Sequence, residues 1–194
     1  KQLWSQVERP NLMIKVPGTR VGVPAIRQLI EDGISINVTL LFAREAYIAV
    51  AMAFVEGLEA RLAKGETIDR IASVASRIDS AIDKKIDERV ATGDKDADAL
   101  KAVRGKVAIA NAKLAYQWYL DFVKSDRWKK LAAEGAMPQR LLWASTGTKD
   151  PSFPALYRRA DRPRYGQHHS AQDDGRVPGS RHAQADADRG RAGG

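Results

Sequence analysis

The sequence predicts an α/β fold in which short strands alternate with helices. Apolar runs of strand length, rich in β-branched residues, are separated by stretches whose apolar residues follow a 3.6-residue period. The chain has 194 residues, of which 44% are hydrophobic, so it is long enough for one domain with a sizeable core. Strands that alternate with helices form βαβ units, and these units build a parallel sheet.

The individual elements are predicted in chain order from this alternation. Four strands are predicted, at residues 11–16, 34–41, 71–75 and 140–145. Helices are predicted at residues 21–32, 44–64, 79–91 and 98–124, the last interrupted at Gly105. Gly33 and Gly65 follow the first two helices directly, and glycine is a common residue at that position.

Two architectures fit this pattern, an open doubly wound sheet and a (β/α)₈ barrel. A doubly wound sheet that binds a dinucleotide favours a glycine-rich turn of the form GxGxxG after its first strand. The segment after the first predicted strand, residues 17–22, reads PGTRVG and lacks that spacing. The elements alone leave the two architectures open.

Composition narrows the class of protein. The absence of cysteine excludes a disulfide scaffold and any metal site with cysteine ligands. No apolar run reaches the roughly 18 residues of a membrane span. The first residues, KQLW, do not resemble the apolar region of a signal peptide. These observations predict a soluble, cytoplasmic protein.

Lys15 is the most informative residue, because it interrupts an apolar strand. Alternation places Lys15 on the same face as Asn11 and Met13, and in a barrel we expect that face to point inward. Burial disfavours the charged form of a lysine, and a neutral amine can attack a ketone to form a Schiff base. The alternative is a lysine at a strand end that extends to solvent or pairs with a carboxylate.

The second predicted strand carries two further polar residues on one face, Asn37 and Thr39. An inward asparagine can donate a hydrogen bond to a substrate hydroxyl, and an inward threonine can hold a water molecule. The alternative is a polar strand end that faces solvent. Lysine, asparagine and threonine on one inward layer of neighbouring strands favour the functional interpretation.

These segments closely resemble the transaldolase family, in particular its longer bacterial subfamily. The segment MIKVPGT at residues 13–19 carries the resemblance together with GISINVTLLF at residues 33–42. Residues 73–79, 105–112 and 142–149 are similar to later segments of that subfamily. The resemblance runs from Lys1 to about Tyr157.

The resemblance implies a partial TIM (β/α)₈ barrel of the class I aldolase type, with about four βα units. It implies a transferase of the pentose phosphate pathway that moves a dihydroxyacetone unit from sedoheptulose 7-phosphate to glyceraldehyde 3-phosphate. Lys15 would form the Schiff base and Thr39 would position the catalytic water, while Asn37 and Ser76 would hold substrate hydroxyls. Neither a metal nor an organic cofactor is expected, because the imine accepts the electrons.

Three residues would bind the substrate phosphate: Arg77, Ser145 and Lys149. In the family, several apolar residues separate the serine of this strand from its arginine, whereas Ser76 and Arg77 are adjacent here. Adjacent strand residues point to opposite faces. We therefore expect either that one of them lies outside the site or that the strand bulges.

The position of Lys15 also departs from the family, whose lysine lies on the fourth strand. We expect the first three strands to be absent from this chain, together with the aspartate and glutamate that transfer protons. General acid–base catalysis contributes typically 10²–10⁴-fold. The chain as given is therefore expected to have little activity and poor solubility.

Residues 158–194 differ in composition from residues 1–157, and we expect a disordered arginine-rich tail after a partial barrel domain. The tail contains eight Arg and five Asp but no Lys, Glu, Leu, Ile, Phe, Met or Trp. One interpretation is translation out of frame, since codons for residues 161–169, shifted by one base, can read TGPDTVNT, as in the family. An alternative function is an inactive interaction module whose basic tail binds nucleic acid. A third is an unrelated α/β phosphate-binding protein.

Overall fold

The computed structural model of the chain describes residues 1–78, 80–93 and 95–144. The four described strands are β1 (Ile14–Pro17), β2 (Ile36–Leu41), β3 (Ser73–Ile78) and β4 (Arg140–Ala144). The described helices are α1 (Gln2–Val7), α2 (Gly22–Glu31), α3 (Arg44–Ala63), α4 (Ser80–Ala91), α5 (Ala97–Val103), α6 (Val107–Phe122) and α7 (Asp126–Ala133).

The four strands form one parallel sheet in the order β1-β2-β3-β4. Each strand lies beside the next strand in the sequence, and parallel neighbours require a crossover connection between them. The register aligns one row of residues across the whole sheet: Lys15, Asn37, Val74 and Arg140. We call the face that carries this row the Lys15 face.

The opposite face of the sheet packs on helices, and we call it the helix face. Its central row, Val16, Val38, Ala75 and Leu141, is buried and belongs to the apolar core. That core continues into α2, α3, α6 and α7. Among the described residues, it includes no member of the Lys15 row.

A helical layer on one face of a parallel sheet corresponds to the wall of a (β/α)₈ barrel, whose helices form an outer ring. A doubly wound sheet carries helices on both faces. The predicted α/β class is confirmed, and the described sheet is consistent with a partial barrel. No helix in the described ranges is both long and apolar enough to cross a membrane.

The structure shifts two of the predicted strands. β1 begins at Ile14 rather than at residue 11, because the chain turns first, with the Leu12 amide donating to the Arg9 carbonyl. β3 covers Ser73–Ile78 rather than residues 71–75, because a further turn joins Ile71 to Ile68.

The helices near the C-terminal end of the described region also differ from prediction. The interruption at Gly105 is present and separates α5 from α6. Helix α7 was not predicted, although Ser125 caps it by accepting a hydrogen bond from the Trp128 amide at 3.2 Å. Trp128 and Leu131 then bury its apolar side in the core. Helix α1 was not predicted either, and none of its residues is buried.

Candidate active site

The Lys15 face brings the lysine and the asparagine together. Lys15 and Asn37 are register partners on β1 and β2, and neighbouring strands lie about 4.8 Å apart. The Lys15 side chain is exposed, whereas Asn37 is half-buried. Among the described residues, Lys15 is therefore not enclosed in the water-free interior expected from the sequence. The register does place its amine on the same face as the Asn37 amide.

Ser76 fixes the orientation of Asn37. Its hydroxyl donates to Asn37 Oδ1 at 2.8 Å, across the β2–β3 pair. Ser76 is buried, so water competes little for this hydrogen bond. Since Oδ1 accepts from Ser76, the two N–H groups of Asn37 are the part of the amide available to a substrate hydroxyl. Lys15, Asn37 and Ser76 thus form one group of the predicted site residues.

A β-bulge in β2 lies beside this group. Val38 pairs with Ala75 and Leu41 pairs with Arg77, so three steps along β2 match two steps along β3. The extra residue changes the alternation, and Leu40 takes a left-handed backbone with φ of 61°. Leu40 is 47% exposed and Thr39 is half-buried, whereas Val38 and Leu41 are fully buried.

Because of the bulge, Thr39 and Leu40 both lie between two residues of the helix face. Thr39 is two residues beyond Asn37 on the same strand and therefore joins it on the Lys15 face. Its carbonyl accepts a hydrogen bond from the Gly18 amide at 2.7 Å, just beyond β1. The bulged end of β2 is thereby tied to the strand that carries Lys15.

Arg77 is not brought together with the other candidates. It follows Ser76 in a strand that pairs regularly with β4, and its side chain points to the helix face. It is fully buried there and donates to the Phe42 carbonyl at 2.8 Å and to the Ala43 carbonyl at 3.4 Å. Of the two alternatives expected for this pair, a bulge of their own strand is not seen where β3 pairs with β4, and Arg77 lies on the opposite face from Ser76. The β-bulge described above is in β2.

The surroundings of Arg77 are apolar and aromatic. Burial raises the pKa of the neighbouring Tyr47 hydroxyl, and the positive charge of Arg77 partly opposes that rise. Tyr47 is itself in edge-to-face contact with Trp118 of α6, the ring centroids lying 5.5 Å apart. Arg77 therefore lies in the layer between sheet and helices.

Two other predicted phosphate-binding residues, Ser145 and Lys149, lie outside the described residues. So does the tail at 158–194, together with its predicted frame shift and disorder. Within the described part of the chain, no cluster of three or more His, Cys, Asp or Glu side chains is placed to hold a metal ion.

One residue near the site was not predicted to have a role. Asn111 of α6 donates from Nδ2 to the Phe42 carbonyl at 2.7 Å, and this is the same oxygen that accepts from Arg77. The available signal was a single amide side chain in the alanine-rich run VAIANAKLAY. That signal could not reveal its partner, because the partner lies 69 positions away in the sequence.

A parallel sheet with helices on one face and a lysine on the other is consistent with a protein of the partial (β/α)₈ barrel class. Comparison with known sequences gives the family. The sequence model of the transaldolase/fructose-6-phosphate aldolase family matches residues 1–162, and the chain belongs to that family.

Curated proteins similar to this chain are named transaldolases. The chain is 58% identical over 156 residues to a transaldolase of Trichodesmium erythraeum, covering 77% of this chain and 41% of that protein. It is 52% identical over 160 residues to transaldolase 2 of Nostoc sp. (strain PCC 7120), covering 79% and 42%. It is 52% identical over 155 residues to a transaldolase of Parafrankia sp., covering 79% and 41%. The chain thus spans about two-fifths of the length of these curated relatives.

Proposed function

We propose that this chain carries the imine-forming part of a transaldolase, with Lys15 as the nucleophile. The observation that supports this most is the group on the Lys15 face, in which Lys15 and Asn37 are in register and Ser76 orients Asn37. Family membership supplies the substrate class, which is ketose and aldose phosphates. The proposed place of the reaction is the pentose phosphate pathway of the cytoplasm.

The reaction begins at the ketone carbon C2 of sedoheptulose 7-phosphate. The amine of Lys15 adds to C2, and loss of water gives the imine. The C3–C4 bond then breaks as the C4 hydroxyl gives up its proton, and erythrose 4-phosphate leaves. The electron pair of that bond passes into the imine and forms an enamine on the lysine, so no metal or organic cofactor is required.

The second half of the reaction is an aldol addition, the reverse of the cleavage, to a different aldehyde. Carbon C3 of the enamine attacks the aldehyde carbon of glyceraldehyde 3-phosphate, and the aldehyde oxygen takes up a proton. Water then adds to the imine, releasing fructose 6-phosphate and restoring the amine of Lys15. Proximity of the imine to oriented polar groups lowers the barrier, because their positions are fixed before the reaction starts.

The positions of the neighbouring side chains support a proposed role for each. Asn37 would donate to a hydroxyl of the bound sugar, held in that orientation by Ser76. Thr39, at the bulge two residues further along β2, would position the water that is released when the imine forms and the water that later hydrolyses it. Phosphate binding by Arg77, Ser145 and Lys149 stays a prediction, since Arg77 lies on the helix face and the other two lie outside the described residues.

Borohydride trapping tests the proposal without requiring complete turnover. The chain is incubated with fructose 6-phosphate, treated with sodium borohydride and examined by intact mass spectrometry. We expect one covalent sugar-derived adduct per chain in the wild type and none in Lys15→Met. Lys113→Met is the matched control, because Lys113 is an exposed lysine on α6. Equal trapping in both variants would refute the proposal.

A further inference from the structure

Two side chains from different elements converge on one backbone oxygen beyond the end of β2. The Phe42 carbonyl accepts hydrogen bonds from Asn111 Nδ2 of α6 at 2.7 Å and from Arg77 Nη2 of β3 at 2.8 Å. Arg77 Nη1 also donates to the next carbonyl, that of Ala43, at 3.4 Å. We call this arrangement the Phe42 clamp.

We propose that Asn111 and Arg77 are positioning residues that set the bulged end of β2, and with it Asn37 and Thr39, relative to Lys15. Neither residue reaches the Lys15 face through these hydrogen bonds. They act through the Phe42 carbonyl, three residues beyond Thr39. The inference rests on the proposed function, since that function gives Asn37 and Thr39 their roles.

The bulge explains why this strand end needs a clamp. Leu40 is a non-glycine residue with a left-handed backbone, a conformation that persists only where the surroundings enforce it. The sheet ladder itself is irregular between Val38 and Leu41. After the irregular segment, the hydrogen bonds of the Phe42 clamp hold the backbone to side chains of α6 and β3. Before it, the hydrogen bond from the Gly18 amide holds the Thr39 carbonyl.

The two members of the clamp differ in how they can be tested. Arg77 is fully buried in the core, so its removal endangers the whole fold. Asn111 is only partly buried and lies on a helix surface. Asn111→Ala removes the donor. Asn111→Asp keeps the size of the side chain but turns an acceptor toward the Phe42 carbonyl, which repels it.

A matched control is available on the same helix. Gln117 also has a side-chain amide that donates a hydrogen bond, but its acceptor is Asp121 Oδ1 on α6 itself. Gln117→Ala therefore removes an amide from α6 without touching β2. Any general effect of shortening a polar side chain on this helix is expected in the control as well.

The experiment measures two quantities on the full chain of each variant. The first is the hydrogen-exchange rate of the backbone amides of residues 38–43 and of Gly18. The second is the rate of borohydride trapping of fructose 6-phosphate on Lys15 as a function of sugar concentration. We expect both Asn111 variants to speed exchange about tenfold in this segment and to lower the maximal trapping rate roughly tenfold, since a small misplacement of reacting groups is costly. The half-saturating concentration changes much less, and Gln117→Ala changes neither quantity.

Exchange in residues 38–43 that stays at the wild-type rate in both Asn111 variants would overturn the proposal. Faster exchange with an unchanged trapping rate would also overturn it, because the strand end would then be loosened without consequence for Lys15. If the wild-type chain traps no sugar at all, the proposed function fails instead. The exchange rates then test only whether the Phe42 clamp holds the end of β2. Acceleration confined to residues 38–43 in the Asn111 variants supports this, and no acceleration contradicts it.

Discussion

Ser76 and Arg77 show how a single step along a strand separates two chemical roles. Their adjacency already predicts that they face opposite sides of the sheet. The apolar core decides which of these two residues points toward the helices. Ala75 and Leu141 belong to that core, so every second residue from them along β3 and β4, including Arg77, lies on the helix face. Ser76 therefore joins Asn37, and Arg77 enters the helix layer.

Replacement of Ser76 tests whether its hydrogen bond to Asn37 matters for stability and for the reaction at Lys15. Ser76→Ala removes the donor to Asn37 Oδ1, so the Asn37 amide loses its fixed orientation. We expect a loss of about 1 kcal/mol in the free energy of unfolding, the usual value for one hydrogen bond. We also expect roughly tenfold slower borohydride trapping at Lys15, because orientation is lost.

Ser73→Ala is the control for this prediction. Ser73 is a buried serine of the same strand, and its hydroxyl accepts from Gln139 Nε2 at 2.9 Å, away from Asn37. Ser73→Ala is expected to cost similar stability in urea unfolding but to leave the trapping rate unchanged. Equal slowing by both substitutions would mean that the rate follows general stability and not the Ser76–Asn37 hydrogen bond.

The candidate site was predictable from sequence only in part. Alternation along β1 and β2 placed Lys15, Asn37 and Thr39 on one face, and the register agrees with that placement. The bulge in β2 was not predicted. The alternation of SINVTL ends in the apolar run Leu40, Leu41 and Phe42, but this run contains no glycine and does not by itself specify an extra residue in the strand. Asn111 was missed because its contact with β2 exists only after α6 has packed.

At the scale of elements, the close packing of α2 on α3 depends on Gly57. A Cβ built on Gly57 would lie 2.7 Å from the Arg27 carbonyl oxygen and 2.7 Å from Ile30 Cβ. Such distances are far below van der Waals contact, and neither backbone nor Cβ atoms can move aside without shifting a helix. Glycine at this position therefore allows the two helices to approach each other behind β1 and β2.

We predict that Gly57→Ala destabilises the fold despite the higher helix propensity of alanine. Overpacking a tight core typically costs 1–3 kcal/mol, which exceeds the roughly 1 kcal/mol that alanine gains over glycine in a helix. Glu56→Ala, an exposed change in the same turn, is expected to stay within about 0.5 kcal/mol of wild type. Chemical denaturation measures both, and a Gly57→Ala chain as stable as wild type would show that α2 and α3 can separate freely.

The order of the elements was well predicted, and their limits were less so. The helix between β1 and β2 and the helix that follows β2 agree with prediction to within one or two residues, since both have clear terminal glycines. β3 begins two residues later and ends three residues later than predicted, because a turn joins Ile71 to Ile68 and the strand continues through Ser76 and Arg77. Burial of a charged guanidinium against backbone carbonyls is a tertiary event that local sequence does not signal.

For the whole molecule, the bulged end of β2 leaves apolar side chains exposed. Leu40 and Phe42 are 47% and 39% exposed among the described residues. Exposed apolar groups at a sheet promote association between chains. A polypeptide of these 194 residues is therefore expected to self-associate at micromolar concentration.

The prediction is that Leu40→Ser shifts size-exclusion chromatography toward smaller species. Leu114→Ser is the control, because Leu114 is 54% exposed but belongs to α6 and not to the sheet. Equal shifts from both substitutions would assign the association to general surface hydrophobicity. No shift from Leu40→Ser would show that the bulge does not take part in the association.

The proposed function depends above all on Lys15 forming the covalent bond to the sugar. Peptide-level mass spectrometry of the borohydride-reduced adduct with fructose 6-phosphate tests it most directly. We expect fragment spectra to place essentially all of the adduct on Lys15 and none on the other lysines. An adduct spread over exposed lysines, in amounts unchanged by Lys15→Met, would contradict it.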